Sequence, residues 1–292
     1  MVAVPIFYFY RKPMKDFENI VNQLKEYFIK KPEIMMAYVF GSYAKDRVMS
    51  ESDIDIAVYF KPENNRVEYE ENKKYPDEDK IWGDAESIVG VNTDFIVMNR
   101  CPSTLAFEIL QTGKEIIVKD RGLWLEFYLI VSSVAEDFME FAKDFYAIRQ
   151  RSASLSELEK HSLRRRIVFL ENEIEEISYF KDLTFETYMT DRNKRRIVER
   201  WIENIINATI DIAKIILASE KKEIPKTYQE TLELFGILIG FEEASKKFSK
   251  FANLRNILAH EYLDVLFEKI KEFIDEAEPL YKKLIDFVNK LL

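Results

Sequence analysis

The sequence contains few residues that can form disulfides or interrupt helices and strands, and few histidines. Its 292 residues include one cysteine, seven glycines, eight prolines and two histidines. A single cysteine excludes an internal disulfide, and this usage is typical of a reducing compartment. No apolar run reaches the about 20 residues that a membrane-spanning helix needs, and the first residues lack the features of a signal peptide. The composition therefore predicts a cytoplasmic protein with no membrane span.

Positive charge is also in deficit. The chain has 43 lysines and arginines against 52 aspartates and glutamates, a net charge of −9. Proteins that bind nucleic acid broadly are usually basic, so this balance argues against such a role. It leaves room for an RNA cleft with local positive charge, although the same residues also fit an ordinary solvated helix surface. The candidates are Arg164, Arg165, Arg166, Lys194, Arg195 and Arg196.

What the sequence does have is enough apolar material, 47% of its residues, for two cores. Helical and strand patterns alternate in the first half, and helical patterns alone fill the second. We therefore expect an α+β protein with a mixed-sheet domain at 1–152 and an all-helical bundle at 153–292. The serine-rich stretch 151–157 predicts a linker with a helix cap. The acidic, lysine-rich stretch 63–80 predicts a solvated loop that runs into a helix.

The most informative segment lies early in the chain and reads Gly-Ser, ten residues, then Asp-x-Asp. An apolar run of strand length, 34–40, precedes it, and an alternating run, 53–60, ends it. Alternation places Asp53 and Asp55 on one face of a strand and the isoleucines on the other. Two carboxylates one strand repeat apart suit Mg²⁺, which prefers one or two carboxylates together with waters and substrate phosphates. The alternative interpretation is a half-buried strand whose aspartates simply face solvent.

Three further residues complete this candidate metal–nucleotide site. Gly41 and Ser42 form the turn after the first strand, where backbone N–H groups can approach a phosphate closely. Nucleotidyl transfer also needs a base or a second metal ion to activate the attacking oxygen. Asp94 lies in a later strand-like segment and is the best candidate for a third carboxylate.

The segment from Tyr38 to Tyr146 resembles the minimal nucleotidyltransferases, the MntA-like members of the polymerase-β superfamily. The resemblance includes the strand with Asp94 and a helix, glycine turn and strand at 107–117. One departure is Lys45-Asp46, where that family usually has Arg-Gly, and it bears on the nucleotide preference.

That resemblance implies a role for each residue of the candidate site. Gly41 and Ser42 would bind the phosphates of ATP. Asp53 and Asp55 would bind Mg²⁺, and Asp94 would complete a catalytic triad of carboxylates, as a base or as a further metal ligand.

A second informative segment near the C-terminus contains Arg255, Asn256, His260 and Tyr262. Histidine is the side chain best suited to moving a proton near neutral pH, and arginine offers a planar fork of donors to a phosphate. Asn256 precedes His260 by four residues, so the two share a helical face, and Arg255 must wrap round the helix to meet the imidazole. The alternatives are a packed core histidine and a structural tyrosine.

From Leu163 to the C-terminus the chain is similar to the HEPN family, and among its members to the HepT toxins. The motif Arg255-x4-His260-x-Tyr262 and the helix break at 224–228 carry the resemblance. It implies a metal-independent endoribonuclease that acts as a homodimer. His260 would move a proton, Arg255 would stabilise charge on phosphorus, and Asn256 would position the phosphate.

In that toxin–antitoxin family the MntA partner transfers AMP from ATP onto the motif tyrosine of HepT and silences it. The two parts are ordinarily separate chains, whereas here one polypeptide carries both. The sequence therefore predicts a fused adenylyltransferase and RNA-cleaving enzyme, with Tyr262 as the modified residue. One alternative is a small-molecule nucleotidyltransferase with a pocket-forming helical bundle, which has no reason to carry the Arg255 motif. The other is a non-catalytic regulator that binds nucleotide and RNA.

Overall fold

The protein forms two compact units in a computed structural model. The structure describes residues 15–44, 53–63, 66–151, 154–240, 242–260 and 266–292. Contacts divide the chain between Ser132 and Ser133, inside a long helix. The domain boundary at 152 therefore stays a prediction. Among the helices of the described ranges, none combines the length and apolar character that crossing a bilayer requires.

The first unit is a mixed four-stranded sheet with helices. Its elements are α1 (Lys15–Ile29), β1 (Ile34–Phe40), α2 (Gly41–Ala44), β2 (Ile54–Phe60), α3 (Glu78–Val89), β3 (Thr93–Val97), α4 (Ser103–Thr112) and β4 (Lys114–Val118). The strand order is β3-β2-β1-β4. Strand β1 runs antiparallel to β2 and β4, and β2 runs parallel to β3. This arrangement confirms the predicted alternation of strands and helices.

Strand β2 is buried on both faces beyond its first residues. Ile54 and Ile56 pack into the core of the unit, as the alternating pattern predicts. On the opposite face, Ala57 and Tyr59 are buried as well. The Tyr59 ring lies 4.5 Å, centroid to centroid, from that of Phe127. The idea of a half-buried strand with one solvent face is therefore wrong, and its polar character is confined to the end that carries the aspartates.

The stretch 63–80 runs into α3 as predicted, but the described part of its loop is only partly solvated. Glu68 and Glu70 are each only 7% exposed. The Tyr75 hydroxyl donates to Glu68 Oε2 at 2.6 Å. Glu70 Oε1 accepts the backbone N–H of Ser103, the first residue of α4, at 3.0 Å. The loop thus folds back on the sheet and uses one of its glutamates to satisfy the start of a helix that has no capping side chain of its own.

The described part of the second unit is entirely helical, which confirms the predicted bundle. Its helices are α5 (Arg121–Gln150), which begins in the first unit, α6 (Glu157–Glu175), α7 (Ile177–Phe180), α8 (Phe185–Thr190), α9 (Arg192–Ser219), α10 (Tyr228–Leu238), α11 (Glu242–His260) and α12 (Leu266–Leu291). Ser156 caps α6 through a reciprocal capping box with Glu159, as the serine-rich linker predicts. Phe138, Phe141 and Phe145, in the later part of α5, belong to the bundle core.

Helix α9 supplies the centre of that core. The sequence pattern allowed its apolar stripe to serve either a bundle core or a dimer face. The structure buries the whole stripe within the chain itself, so it forms the core. The buried residues are Val198, Trp201, Ile202, Ile205, Ile206, Ile212, Ile215 and Ile216.

Candidate active sites

The turn after β1 brings Gly41 directly against Asp55. The backbone of Gly41 is left-handed, with φ of +69°. A Cβ atom placed on Gly41 would lie 1.9 Å from Asp55 Oδ2. Position 41 requires glycine for two reasons. Other residues disfavour this φ, and the Asp55 carboxylate occupies the space that a side chain would need. Ser42 follows in α2 and is half-buried. Lys45 and Asp46 lie outside the described residues.

The pairing of β2 with β3 brings the predicted carboxylates together. The two strands are parallel, with Asp55 paired to Asp94, and Asp53 immediately precedes β2. Paired residues on adjacent strands project from the same face of a sheet, and neighbouring strands are about 4.8 Å apart. Asp55 is half-buried, whereas Asp53 and Asp94 are exposed. The structure thus gathers all three aspartates at one end of two neighbouring strands, beside Gly41.

The charges of this cluster are mutually unfavourable. Burial raises the pKa of the Asp55 carboxyl, and the negative charges of Asp94 and Asp53 raise it further. Each of these causes acts in the same direction, so within the described residues no cation offsets the repulsion at Asp55. A bound cation would relieve it.

The donor set fits a magnesium ion that arrives with its substrate. In the described ranges, no three His, Cys, Asp or Glu side chains converge closely enough to hold a metal by themselves. Mg²⁺ does not require such a cage, since one or two carboxylates suffice when waters and phosphates fill the remaining positions. Asp53 and Asp55 would hold it, and the identity of these ligands remains a prediction.

In the second unit, Arg255 is buried on α11 and held on several sides. The residue is 9% exposed. Its Nε donates to Asn207 Oδ1 at 2.9 Å, and its Nη1 donates to Asn256 Oδ1 at 3.4 Å. Nη1 also lies 2.6 Å from Asp137 Oδ2 in an ion pair. The guanidinium carbon sits 5.0 Å from the centre of the Tyr228 ring, a cation–π distance. These contacts therefore hold the Arg255 side chain in one orientation, so it is not free to rotate around α11.

The rest of the predicted motif is only partly within the described residues. Asn256 is 1% exposed, and its Nδ2 has no hydrogen-bond partner among them. His260 is the last residue of α11, one turn after Asn256, and only its backbone is described. Tyr262 lies outside the described residues. The structure thus places Arg255, Asn256 and the His260 backbone on one helix, while the roles of these four residues remain predictions.

Sequence reasoning missed the three residues that hold Arg255 from other helices. Asp137 lies on α5, Asn207 on α9 and Tyr228 on α10. No local spacing connects them to Arg255, since they meet only in the folded bundle. One signal was present in the sequence. Asp137 is a charged residue at helical spacing from Val134 within an apolar stripe.

Of the basic residues proposed for RNA, two make side-chain hydrogen bonds within the chain. Arg164 Nη2 donates to the backbone carbonyl of Leu292 at 3.2 Å. Arg166 donates from Nε and Nη2 to Asp211 Oδ2, at 3.1 and 2.7 Å. Arg164, Arg165 and Arg196 are exposed, and Lys194 and Arg195 are half-buried. Arg165 and Arg196 are exposed on the surface of the bundle, whereas Arg166 joins α6 to α9.

Comparisons with known proteins match the two halves separately. The family described as "Polymerase beta, Nucleotidyltransferase" matches residues 22–122. The family described as "Ribonuclease HepT-like" matches residues 170–290. A curated relative, the tRNA nuclease HepT of Aphanizomenon flos-aquae (strain 2012/KM1/D3), is 26% identical over 137 residues, which are 45% of this chain and 92% of that protein.

Solved structures of toxin–antitoxin proteins also align with part of the chain. A toxin–antitoxin crystallised with AMP-PNP is 18% identical with a TM-score of 0.35, covering 44% of this chain and 95% of that one. A mutant of the MntA–HpeT toxin–antitoxin is 17% identical with a TM-score of 0.34 and the same coverage. The family matches confirm both resemblances seen in the sequence: the chain carries an N-terminal polymerase-β-type nucleotidyltransferase domain and a C-terminal HepT-like ribonuclease domain.

Proposed function

We propose that the first unit transfers AMP from ATP to Tyr262 and thereby silences an endoribonuclease formed by the helical bundle. The observation that carries the transferase half is the pairing of Asp55 with Asp94 beside Gly41. This arrangement concentrates negative charge at a glycine turn and has no described counter-charge. It therefore favours a metal-bound, phosphate-bearing substrate over a purely structural role.

The transfer reaction needs positioning, charge neutralisation and removal of one proton. Mg²⁺, when bound by Asp53 and Asp55, would neutralise charge on the triphosphate. The Tyr262 oxygen forms a bond to the α-phosphorus of ATP, and the bond to the β-phosphate oxygen breaks to release pyrophosphate. Asp94 is the group that accepts the phenolic proton. Gly41 and Ser42 present the turn to the phosphates without a side chain that would displace Asp55.

The ribonuclease reaction uses the other motif and no metal. His260 removes the proton of an RNA 2′-hydroxyl, whose oxygen attacks the adjacent phosphorus. The bond to the 5′-oxygen of the next nucleotide breaks, and that oxygen takes up a proton from water, leaving a cyclic phosphate and a 5′-hydroxyl. His260 then returns the 2′-proton to solvent. Arg255 donates to the phosphate oxygens as negative charge develops on them. The buried Nδ2 of Asn256 is a further donor with no partner among the described residues, which supports its assignment to the phosphate.

The two activities are coupled through the position of Tyr262, two residues after His260. An AMP group there would add bulk and negative charge where the RNA phosphate must lie, and both effects oppose RNA binding. Because enzyme and acceptor share one chain, their effective concentration is high, and transfer within a chain or a stable dimer should not depend on dilution.

Intact mass tests the transferase half. Wild-type protein incubated with Mg²⁺ and ATP should gain the mass of one or more AMP units, and peptide mapping should place them on Tyr262. Asp55→Asn should gain none. Asp79→Asn is a matched control, because Asp79 is an exposed aspartate of the same unit that pairs with Lys74. Transfer by Asp55→Asn at the wild-type rate would refute the metal assignment. AMP on a different residue, with Tyr262 bare and the ribonuclease silent, would refute the coupling.

Cleavage of RNA in the presence of EDTA tests the ribonuclease half. Unmodified protein should give products that end in a cyclic phosphate or its hydrolysed form. The chain has only two histidines, so His161→Ala is the natural control for His260→Ala. Cleavage should survive the first substitution and disappear with the second. A nuclease activity that persists in His260→Ala would show that this motif is not its source.

A further inference from the structure

Part of the support for Arg255 comes from outside the segment that resembles HepT. The HepT-like match covers residues 170–290, and Asp137 lies before it, on the part of α5 that joins the bundle. The Asp137 carboxylate makes the 2.6 Å ion pair with Arg255. A ribonuclease domain without this helix would lack that contact. The chain therefore supplies its own carboxylate to the motif arginine.

The contacts of Arg255 within the described residues involve two of its three guanidinium nitrogens and leave Nη2 without a partner. A guanidinium has five N–H donors in a rigid plane. The Nε donor is used by Asn207, and Nη1 faces both Asp137 and Asn256. Among the described residues, no hydrogen bond or ion pair reaches Nη2. The plane also rests on the Tyr228 ring, whose hydroxyl donates to the Asp137 backbone carbonyl at 3.2 Å. The group is thus held at Nε, at Nη1 and on one face, and the two N–H donors of Nη2 remain for a ligand.

We propose that Asp137 is a positioning residue for RNA cleavage, which holds the Arg255 guanidinium so that Nη2 donates to the scissile phosphate. This inference rests on the ribonuclease activity proposed above. Asp137 does not touch the RNA. It removes the freedom of a long side chain before the substrate arrives, and that ordering would otherwise oppose the transition state.

The location of the pair favours orientation over attraction. The Arg255 side chain is 11% exposed and that of Asp137 is 37% exposed. A carboxylate at 2.6 Å cancels much of the charge that Arg255 would present to a distant phosphate. The directions of its remaining N–H bonds are unaffected, and a planar fork is effective when its direction is fixed. Loss of Asp137 should therefore affect the chemical step more than RNA affinity.

The first test is the kinetics of Asp137→Asn, a variant that keeps the size of the side chain and removes its charge. We expect kcat to fall about 10- to 100-fold, in line with small misplacements of a catalytic group, with KM within about threefold of wild type. Asp144→Asn is the matched control. Asp144 lies two turns further along α5 and pairs with Lys214 at 3.0 Å. An unchanged kcat in Asp137→Asn, or a change confined to KM, would overturn the proposal.

The second test uses guanidinium chloride as a small replacement for the missing side chain. In Arg255→Ala, millimolar guanidinium should raise the Tm above the value in equimolar NaCl and restore part of the RNA cleavage. In Arg255→Ala combined with Asp137→Asn, it should do neither. If both proteins respond alike, Asp137 does not bind the guanidinium group.

The thermal shift does not depend on RNA cleavage, so the two proposals can fail separately. Suppose that wild-type protein cleaves no RNA while guanidinium still stabilises Arg255→Ala through Asp137. The ribonuclease assignment then fails, and the role of Asp137 in binding the guanidinium group is retained. If RNA is cleaved and Asp137 has no effect on either readout, the positioning role fails alone.

Discussion

Substitution of Gly41 by alanine should disable the nucleotide site while leaving the first unit folded. Two separate effects act at this position. The added Cβ would lie 1.9 Å from Asp55 Oδ2, so the carboxylate must move. The backbone φ of +69° also disfavours any residue with a Cβ, by about 1–2 kcal/mol.

Substitution at Gly90 separates these two effects. Gly90 also has a left-handed backbone, but no neighbouring atom occupies the space of a Cβ. Its φ is +74°, and a Cβ placed there meets nothing within 4 Å. Gly90→Ala should therefore cost only the conformational term, about 1–2 kcal/mol of unfolding free energy in the first unit. Gly41→Ala should cost that amount plus about 0.5–1.5 kcal/mol for a side chain driven off its rotamer. The stability difference between the two variants is small, and the functional difference should be large.

The assay is binding of Mg²⁺ with a non-hydrolysable ATP analogue, measured by calorimetry beside denaturant unfolding. Gly90→Ala should bind as wild type does. Gly41→Ala should lose most of its affinity, because Asp55 no longer occupies the place where it meets Asp94. Equal binding by the two alanine variants would show that the contact between Gly41 and Asp55 has no part in nucleotide binding.

Three further outcomes follow from particular contacts. Burial raises the pKa of Glu70, so the folded protein favours the protonated carboxyl. The resulting contribution to the free energy of unfolding is fully present below the pKa that Glu70 has in the unfolded chain. It is lost as the pH rises through the higher pKa of the folded protein. Glu70→Gln should therefore be more stable than wild type at pH 8 and no more stable at pH 4 in thermal melts, and a constant difference would contradict this. Ser156→Ala removes the cap of α6 and should cost about 1 kcal/mol in denaturant unfolding, with no loss if the cap is unimportant. Burial, with the charges of Asp94 and Asp53, raises the pKa of Asp55 above its usual range. Mg²⁺-nucleotide affinity should therefore begin to fall at a higher pH than for an ordinary aspartate, and a fall that begins only in the range of an ordinary aspartate would contradict the shift.

The parts of the fold that the sequence predicted well are those set by local periodicity. Strand β1 has the predicted limits, and β2 begins one residue later than expected. Alternation also placed Asp53 and Asp55 on one face without knowledge of the sheet. The pairing of Asp94 with Asp55 could be expected only from the resemblance to a family, since strand register between β2 and β3 is set by contacts that are distant in sequence.

The failures of sequence reasoning concern the partners of charged side chains. Glu68 and Glu70 belong to a stretch whose composition predicts solvent exposure, yet both are buried. Each has partners that make burial tolerable, a tyrosine hydroxyl for one and a helix N–H for the other. Arg255 presents the same difficulty. Its motif predicts an arginine that contacts phosphate, but the pairing with Asp137 across helices cannot be read from spacing.

The two candidate sites use charge in opposite ways, and this difference bears on how an acidic chain could act on RNA. Asp55 of the first site lies beside Asp53 and Asp94 with no described counter-charge, so that site favours a cation. Arg255 already has a counter-charge, so its contribution to the second site is mainly the direction of its donors. With a net charge of −9, we expect any attraction of RNA to come from exposed basic residues such as Arg165 and Arg196. Salt should accordingly weaken RNA binding through those surface residues. The dependence of kcat on Asp137 should change much less with salt, because a short, partly buried ion pair is screened less than exposed charges.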